Sequence, residues 1–458
     1  MSYIGNNPVT QSFISGTDYF NGTGSQTAFT LSRTVASIND IQVTVNNVVQ
    51  QPNDAYTISG TTLTMTSAPS AGTNNVYVRY LSTTTQVITP SQNTVSWNTL
   101  DSNIQQDLGV MYKNRIINGN MVIDQRNAGA SVTLGSGGSS FIVDRFRADA
   151  PVDQSMTFQQ QTSVVPNGFS TSFKVTAGTG TTTATNQPIL AQFIEGFNVA
   201  DLKWGTANAK TVTLSFQVYS SITGTFGVCF ENNAANRGYI ASYTISSANT
   251  WTSASITIPG DTSGTWEITN QRGLAIFFDL GVGTSFSTSA SSGWANLSGY
   301  RGLTGGAKLA ANTGATWYIT GVQLEVGTQA TAFSTAGGSY GAELALCQRY
   351  FFNVGGQVYS TASSGGTAYL TTWCFGLVKS PVTMRAMPTF TKTGNWNWND
   401  YNSVNTNTGA LTFRSTSSTL DAFWIASEGT SSGLTALQTY FLTAANDATA
   451  RLSFSAEL

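Results

Sequence analysis

The run KTVTLSFQVYS, residues 210–220, sets Val212, Leu214, Phe216 and Val218 on one side of an extended chain and Thr213, Ser215 and Gln217 on the other. A side-chain period of two makes a strand with one buried and one polar face. The pattern returns in GYIASYTIS, TWTSASITIPG, LAIFFDLGV and TGATWYITGVQLEVG, and helical periodicity is nearly absent between residues 116 and 337. Many short strands divided by Gly, Asn and Ser clusters close most naturally as two packed sheets, so this block is expected to be a jelly roll or sandwich. Residues 338–458 return to the same pattern in TAYLTTWCFGLV, DAFWIAS, TALQTYFLT and TARLSFSAEL, which predicts a second β-sandwich.

Residues 20–82 read as a small β-domain of four or more antiparallel strands: AFTL, IQVTVNNVVQ, DAYTISGTTLTM and NNVYVRYL. Asn46-Asn47 and Ser59-Gly60 stand where two-residue hairpin turns need positive φ. Residues 1–19 are too short and polar to fold alone and are expected to be an arm that orders on a partner, or a frayed terminus. Residues 83–115 form a linker that runs into TLDSNIQQDLGVMYKN, where Leu100, Ile104, Leu108 and Met111 draw one apolar stripe. That stripe predicts a short helix that packs on its own domain or gathers copies of the chain around a symmetry axis. A second helix is predicted over SYGAELALCQRYFF, 339–352, with Leu344, Cys347 and Phe351 on one face. The whole is all-β apart from these two segments.

Charge narrows the function. Charged residues make up 9% of the 458-residue chain and the formal net charge is −2, against about 25% charged in an ordinary soluble domain. No basic cluster is available to neutralise phosphates or to bind an anionic membrane, so neither nucleic acid nor membrane insertion is expected. The start, MSYIGNNPVT, lacks a secretion signal, which predicts synthesis and folding in the cytoplasm. Histidine is absent, which removes the usual general base and the commonest zinc ligand. Cys229, Cys347 and Cys374 form no CxxC pair and are expected to be buried, with no disulfide, metal or cofactor. Hydrolysis of a glycosidic bond needs two carboxylates across one bond. The 22 acidic residues are strewn singly, so no catalytic residue is assigned.

Sugars stack their C–H faces on aromatic rings and pair their hydroxyls with amides and carboxylates. The segment NWNWNDYN has that chemistry in Trp396, Trp398, Asp400 and Tyr401. Packing or contact between subunits would use the same rings, since a buried Trp removes a large area from water. On the sugar reading, Trp396→Ala with Trp398→Ala weakens binding and leaves unfolding nearly unchanged. Trp294 and Tyr300 lie in the long Gly- and Ser-rich stretch from Gly281 to Gly314, where they either meet a ligand or pin the loop. Trp373 and Trp424 lie in apolar runs and read as core. Asp144-Arg145-Phe146-Arg147 reads as a strand whose charges satisfy local polar groups while Phe146 packs inward, with an acidic-sugar site as the alternative.

Several stretches resemble tail-fibre and receptor-binding proteins of tailed bacteriophages, especially marine and cyanobacterial ones. FNGTGSQTAFTL through VTVNNVVQQPNDAYTISGTTLTMTSAP to VYVRY is similar to a module at the head of such fibres. RIINGNMVIDQRN, FIVDRFRAD and TGATWYITGVQLEVGTQATAFSTAGGSYGAELALCQRYF are similar to a jelly-roll unit related to carbohydrate-binding modules, and PVTMRAMPTF and FSAEL resemble the ends of these proteins. The resemblance implies a homotrimeric virion protein that docks on an adaptor or tail protein through its N-terminal region and meets a host-surface glycan with its distal sandwiches. A head fibre or capsid decoration protein, and a polysaccharide depolymerase tailspike, are the alternatives. In related carbohydrate-binding modules the last strand often carries an acidic calcium ligand. Here Thr320 and Gly321 stand in that vicinity, leaving Glu325 and Asp124 as possible oxygen ligands.

Overall fold

The computed structural model describes residues 16–81, 113–180, 183–297, 299–400, 405–429 and 431–458. The expected arm up to residue 15 and the predicted helix with Leu100, Ile104, Leu108 and Met111 lie outside the described residues. The chain divides into two compact units, Met1–Gln105 and Gln106–Leu458.

In the first unit, Thr17–Gly22, Gly72–Tyr80, Ile41–Val45 and Val48–Val49 form an antiparallel sheet in that order, and Ala28–Val35 pairs with Tyr56–Met65. The first strand thus begins inside the stretch read as an arm. Phe29, Leu31, Val43, Tyr56, Leu63, Val76 and Val78 fill the core. Asn46 and Asn47 take φ of 49° and 67° and make the two-residue turn their sequence predicts. Ser59-Gly60 does not. The strand runs straight through, and Gly60, with φ 59°, sits opposite Val35 where the pairing register slips. The glycine's conformational freedom is spent on a bulge, not on a chain reversal.

The second unit is built from two sandwiches. In the central one, a six-stranded sheet in the order Thr252–Ile258, Val212–Ser220, Thr316–Val326, Ser172–Ala177, Met156–Gln161, Val132–Leu134 faces another in the order Gly238–Ile245, Gly224–Glu231, Arg272–Asp279, Ile189–Glu195, Phe146–Asp149, Ser139–Val143. Val212, Leu214, Phe216 and Val218 lie fully in the core, with Phe158, Phe173, Phe226, Phe278 and Trp317 from both sheets. In the terminal sandwich, Phe351–Gly355, Arg451–Ser455 and Thr389–Thr393 make a three-stranded sheet. The accompanying seven-stranded sheet runs Asn405–Asn407, Trp396–Asn399, Thr439–Ala444, Gly366–Leu370, Trp373–Lys379, Ala422–Ser427, Thr412–Phe413. The helix between the sandwiches is shorter than its apolar spacing predicts. It spans Tyr340–Gln348 behind a Ser339 cap, and Phe351 belongs to the next strand. Aromatic side chains at 350–352 favour the pleated surface over a further helical turn.

Buried charge joins the two sandwiches. Arg126 contacts Asp144 at 2.6 Å and Glu457 at 2.9 Å, and Arg145, 1% exposed, also pairs with Glu457. Arg349 and the Tyr350 hydroxyl both donate to Glu195, and Arg385 donates to the carbonyls of Ala456, Glu457 and Asn270. The Arg145 guanidinium lies over the Tyr350 ring at 3.5 Å, a cation–π contact in a desolvated place. Asp144 and Arg145 are therefore closed to any acidic sugar. Phe146 points inward as read, and the partners of Arg145 are distant in sequence. The three cysteines are free and buried.

Candidate functional site

The rings singled out in the sequence fall mostly inside. Trp396 and Trp398 are 1% and 0% exposed, in the core of the terminal sandwich. Both indole N–H groups are consumed: Trp396 donates to the Thr393 carbonyl at 3.0 Å and Trp398 to the Ser427 hydroxyl at 2.7 Å. Their alternation in NWNWN is that of a strand whose tryptophan face is the buried one. This corrects the sugar-stacking reading: no ring face is left for a ligand. Asp400 is half-buried just past that strand, and Tyr401 lies outside the described residues.

Trp294 pins its loop. It donates to the Pro259 carbonyl at 2.6 Å and meets the rings of Trp204 and Trp266 edge-on, with centroids 5.0 and 5.2 Å away. Trp204 and Trp266 also spend their N–H groups internally, on the Lys210 carbonyl and the Asp261 carboxylate. Tyr300 is 38% exposed on the same loop, with its backbone carbonyl near the Cys229 thiol.

The two outer faces of the central sandwich differ. On the sheet containing Ile189–Glu195 the outer face is apolar: Ile189, Ala191, Phe193, Cys229, Ile240 and Phe277 are buried beneath Phe286, Leu297, Leu303 and Leu458. The Gly281–Gly314 stretch is its cover. Asp279, buried with its pKa raised by that burial, holds the stretch by accepting from the N–H groups of Gly281, Val282 and Leu303.

The other sheet has a polar outer face, and one cross-strand row on it is aromatic. Tyr219 pairs directly with Tyr318, Tyr318 with Lys174, and Lys174 with Gln159. Trp251 extends the row on the far side of Tyr219, since Val218 pairs with Thr252. The Tyr219 centroid lies 5.6 Å from that of Trp251 and 5.1 Å from that of Tyr318, and the Lys174 ammonium stands 5.9 Å from the Tyr318 ring. Trp251, Tyr219, Tyr318, Lys174 and Gln159 thus cross five neighbouring strands. At about 4.8 Å per strand the row is roughly 19 Å long. Gln217 and Ser253 hydrogen-bond to each other one step along the same face. A shallow bench of rings beside an ammonium and amides can stack the C–H faces of a chain of sugars and pair with its hydroxyls.

The sequence reading missed these residues although the signal was present. In VTLSFQVYS the inward positions are Val, Leu, Phe and Val, so Tyr219 falls in phase with the polar set; in TWYITG, Trp317 points inward and Tyr318 outward.

The terminal sandwich corrects a second reading. Trp373 and Trp424, taken as core, are half-exposed on the outer face of the seven-stranded sheet. With Phe375, whose ring is 5.1 Å from that of Trp424, they floor a cleft of about 230 Å³ rimmed by Tyr369, Arg414, Ser417 and Glu428. Their apolar neighbours Cys374 and Val378, Phe423 and Ile425 take the buried phase instead. Exposure and N–H bonding together set three tryptophans apart. Trp251, Trp373 and Trp424 are half-exposed and their indole N–H groups have no partner among the described residues, whereas Trp204, Trp266, Trp294, Trp396 and Trp398 have theirs bonded within the fold and Trp317, its N–H unbonded, is wholly buried.

Several carboxylates of the central sandwich are spent on structure. Glu325 accepts from Gln323 and Thr331 and lies 3.4 Å from Lys113, while Asp124 accepts from the N–H groups of Asn127 and Gly129. The two belong to separate local networks. Glu231 pairs with Arg301 and Arg272, and Asp261 with Arg237. Buried Glu343 accepts from the N–H groups of Asn118 and Gly337, with burial raising its pKa.

No protein-family model and no curated protein matches the chain. Among solved structures it is similar to the enzymatically active domain of tailspike protein 4 of bacteriophage CBA120, at 13% identity and a TM-score of 0.24 over 47% of this chain and 22% of that one. It is also similar to a family 11 carbohydrate-binding module of the cellulosomal cellulase Lic26A-Cel5E of Clostridium thermocellum, at 12% identity and a TM-score of 0.22 over 46% of this chain and 95% of the module. A family 29 carbohydrate-binding module matches at 10% identity and a TM-score of 0.20 over 43% and 88%. Likeness at this level leaves function to the residues themselves.

Proposed function

We propose that the protein is a non-catalytic glycan-binding component of a phage virion, a tail fibre that adsorbs to the host surface. The observation that carries glycan binding is the row Trp251, Tyr219, Tyr318, Lys174, Gln159 on the polar outer face of the central sandwich. Its rings are half-exposed or, for Tyr318, 7% exposed, so the bench is largely prebuilt and little side-chain entropy is lost on binding. Its length suits a linear chain of several sugars lying across the strands. The engagement of buried carboxylates with arginines and backbone N–H groups supports a binding role over hydrolysis.

The fibre assignment rests on the sequence resemblance. In it, residues 1–19 and the small β-domain dock on a virion adaptor or tail protein, and the Leu100, Ile104, Leu108, Met111 stripe gathers a homotrimer. Several weak sites on one particle then gain avidity through effective concentration. A glycan array probed with the full chain tests the binding: linear oligosaccharides are retained by the native protein and released by Tyr219→Ala with Trp251→Ala. Equal retention of both proteins contradicts the assignment of the row. Electron microscopy of the particle, with the N-terminal region labelled, distinguishes a tail fibre from a head fibre.

A further inference from the structure

We propose that the cleft on the terminal sandwich is a second, separate sugar site that takes a single neutral hexose, such as a chain end or a branch. Three observations carry it. First, its floor is aromatic and open: Trp373 and Phe375 alternate outward along one strand, and Trp424 reaches the same face from the next, where it pairs with Leu377. Second, Trp398 fixes that floor from beneath. Its N–H is bonded to Ser427, a cleft residue that in turn meets Ser431, and a side chain at position 376 would come within 3.3 Å of the Trp398 ring. The tryptophans of NWNWN thus contribute to recognition from inside, as positioning residues.

Third, the rim carries a matched donor and acceptor. The Arg414 Nε–H donates to Glu428 Oε1 at 2.6 Å, and the Thr412 hydroxyl lies 3.3 Å from the same oxygen. The second carboxylate oxygen and both terminal guanidinium nitrogens have no partner among the described residues. Two adjacent hydroxyls of a pyranose, one donating to Glu428 and the other accepting from Arg414, complete that arrangement while a C–H face of the ring lies on Trp373 or Trp424. The pair is formally neutral, so a uronic acid gains little: a carboxylate drawn to Arg414 would also stand beside the Glu428 carboxylate. Tyr369, which a bulge between Ala368 and Leu370 leaves out of the pairing, stands 62% exposed at the edge and can close over a ligand. The volume of about 230 Å³ admits one sugar ring, unlike the long open row of the central sandwich.

Saturation-transfer NMR on the full chain, with glucose, galactose, mannose and glucuronate as probes, tests the site. At least one neutral hexose receives saturation on one set of ring protons, with millimolar affinity. Trp373→Ala abolishes the signal, and Glu428→Gln, a change at the exposed rim that the fold tolerates, weakens it by roughly tenfold. Tyr219→Ala leaves it unchanged, which separates this site from the row: oligosaccharide binding that survives Tyr219→Ala with Trp251→Ala, beside a hexose signal that Trp373→Ala abolishes, would overturn only the first reading. Saturation absent from every neutral hexose, a preference for glucuronate, or a signal indifferent to both Trp373→Ala and Glu428→Gln overturns the proposal.

Discussion

Two groups of rings in this chain look alike in composition and differ in what surrounds them. Trp396 and Trp398 crowd five residues of sequence with asparagines and lie wholly inside the terminal sandwich. Trp251, Tyr219 and Tyr318 come from three places in the sequence and meet only because their strands pair. The first group has its N–H groups bonded and its faces packed, while the second lies on a polar sheet face with Trp251 and Tyr219 half-exposed and Tyr318 mostly buried beside them. Density of aromatics along a chain therefore says little about recognition, and what matters is which phase of the strand they occupy and whether their polar edges are already satisfied.

The sharpest way to break that contrast is to truncate one ring from the buried group and one from each exposed site. Trp398→Ala is expected to destabilise the 106–458 unit by about 3–5 kcal/mol, as large core truncations do, visible as a lower denaturant midpoint. Trp373→Ala, on the outer face of the same sheet, should cost about 1 kcal/mol or less. Comparable losses would mean that the cleft is core after all. The earlier expectation that Trp396→Ala with Trp398→Ala spares folding is thereby reversed.

Next in size is the charge network. Glu457→Gln leaves Arg145 buried without its carboxylate, which should cost about 3 kcal/mol, near the lower end for a broken buried pair because Arg145 keeps the Phe193 carbonyl and the Tyr350 ring. Differential scanning calorimetry measures it, and an unchanged transition would mean the sandwiches hold together without this pair. Tyr219→Ala should lower oligosaccharide affinity by about tenfold, near 1.4 kcal/mol, with unfolding changed by no more than about 1 kcal/mol. Titration calorimetry beside a denaturation curve separates the two effects.

The smallest effect is a pH slope. Burial pushes the Asp144 carboxyl up to about 7 from 3.8, against the opposing influence of Arg126 and the Gln125 N–H. Between those values the folded chain keeps a proton that the unfolded chain releases, so stability falls as pH rises through the window and the loss is complete above it. Acidifying from about 7 to about 6 should therefore raise stability by less than about 1.4 kcal/mol. Asp144→Asn should flatten the slope, and an unchanged slope in urea melts would assign it to other groups. The cleft offers the contrast: Arg414 holds Glu428 below the ordinary carboxylate range, and burial pushes the Cys374 thiol up to about 12. Hexose binding there should be flat between about pH 5 and 8.

Strand phase was legible where a long run alternated without interruption, as in residues 210–220, and the all-β architecture followed from it. The Asn46-Asn47 turn was legible because two consecutive positive-φ residues have few other uses. Gly60 was misread because a bulge and a turn ask the same thing of a glycine, and only the partner strand tells them apart. The row was illegible as a unit because register between distant strands is set by the whole sheet. Trp373 and Trp424 were misplaced because their neighbours on both phases are apolar, so the run WCFGLV has no polar face to mark the outside. Arg145 hides the same way: its partner, Glu457, is 312 residues away.

The most direct test of the central account is the affinity of a soluble linear oligosaccharide, at least about four sugars long to match the roughly 19 Å row, for the native chain and for Tyr219→Ala with Trp251→Ala. The native protein is expected to bind, and the double variant to lose binding while its melting transition stays in place. Binding retained by the double variant, or lost only together with the fold, would contradict it.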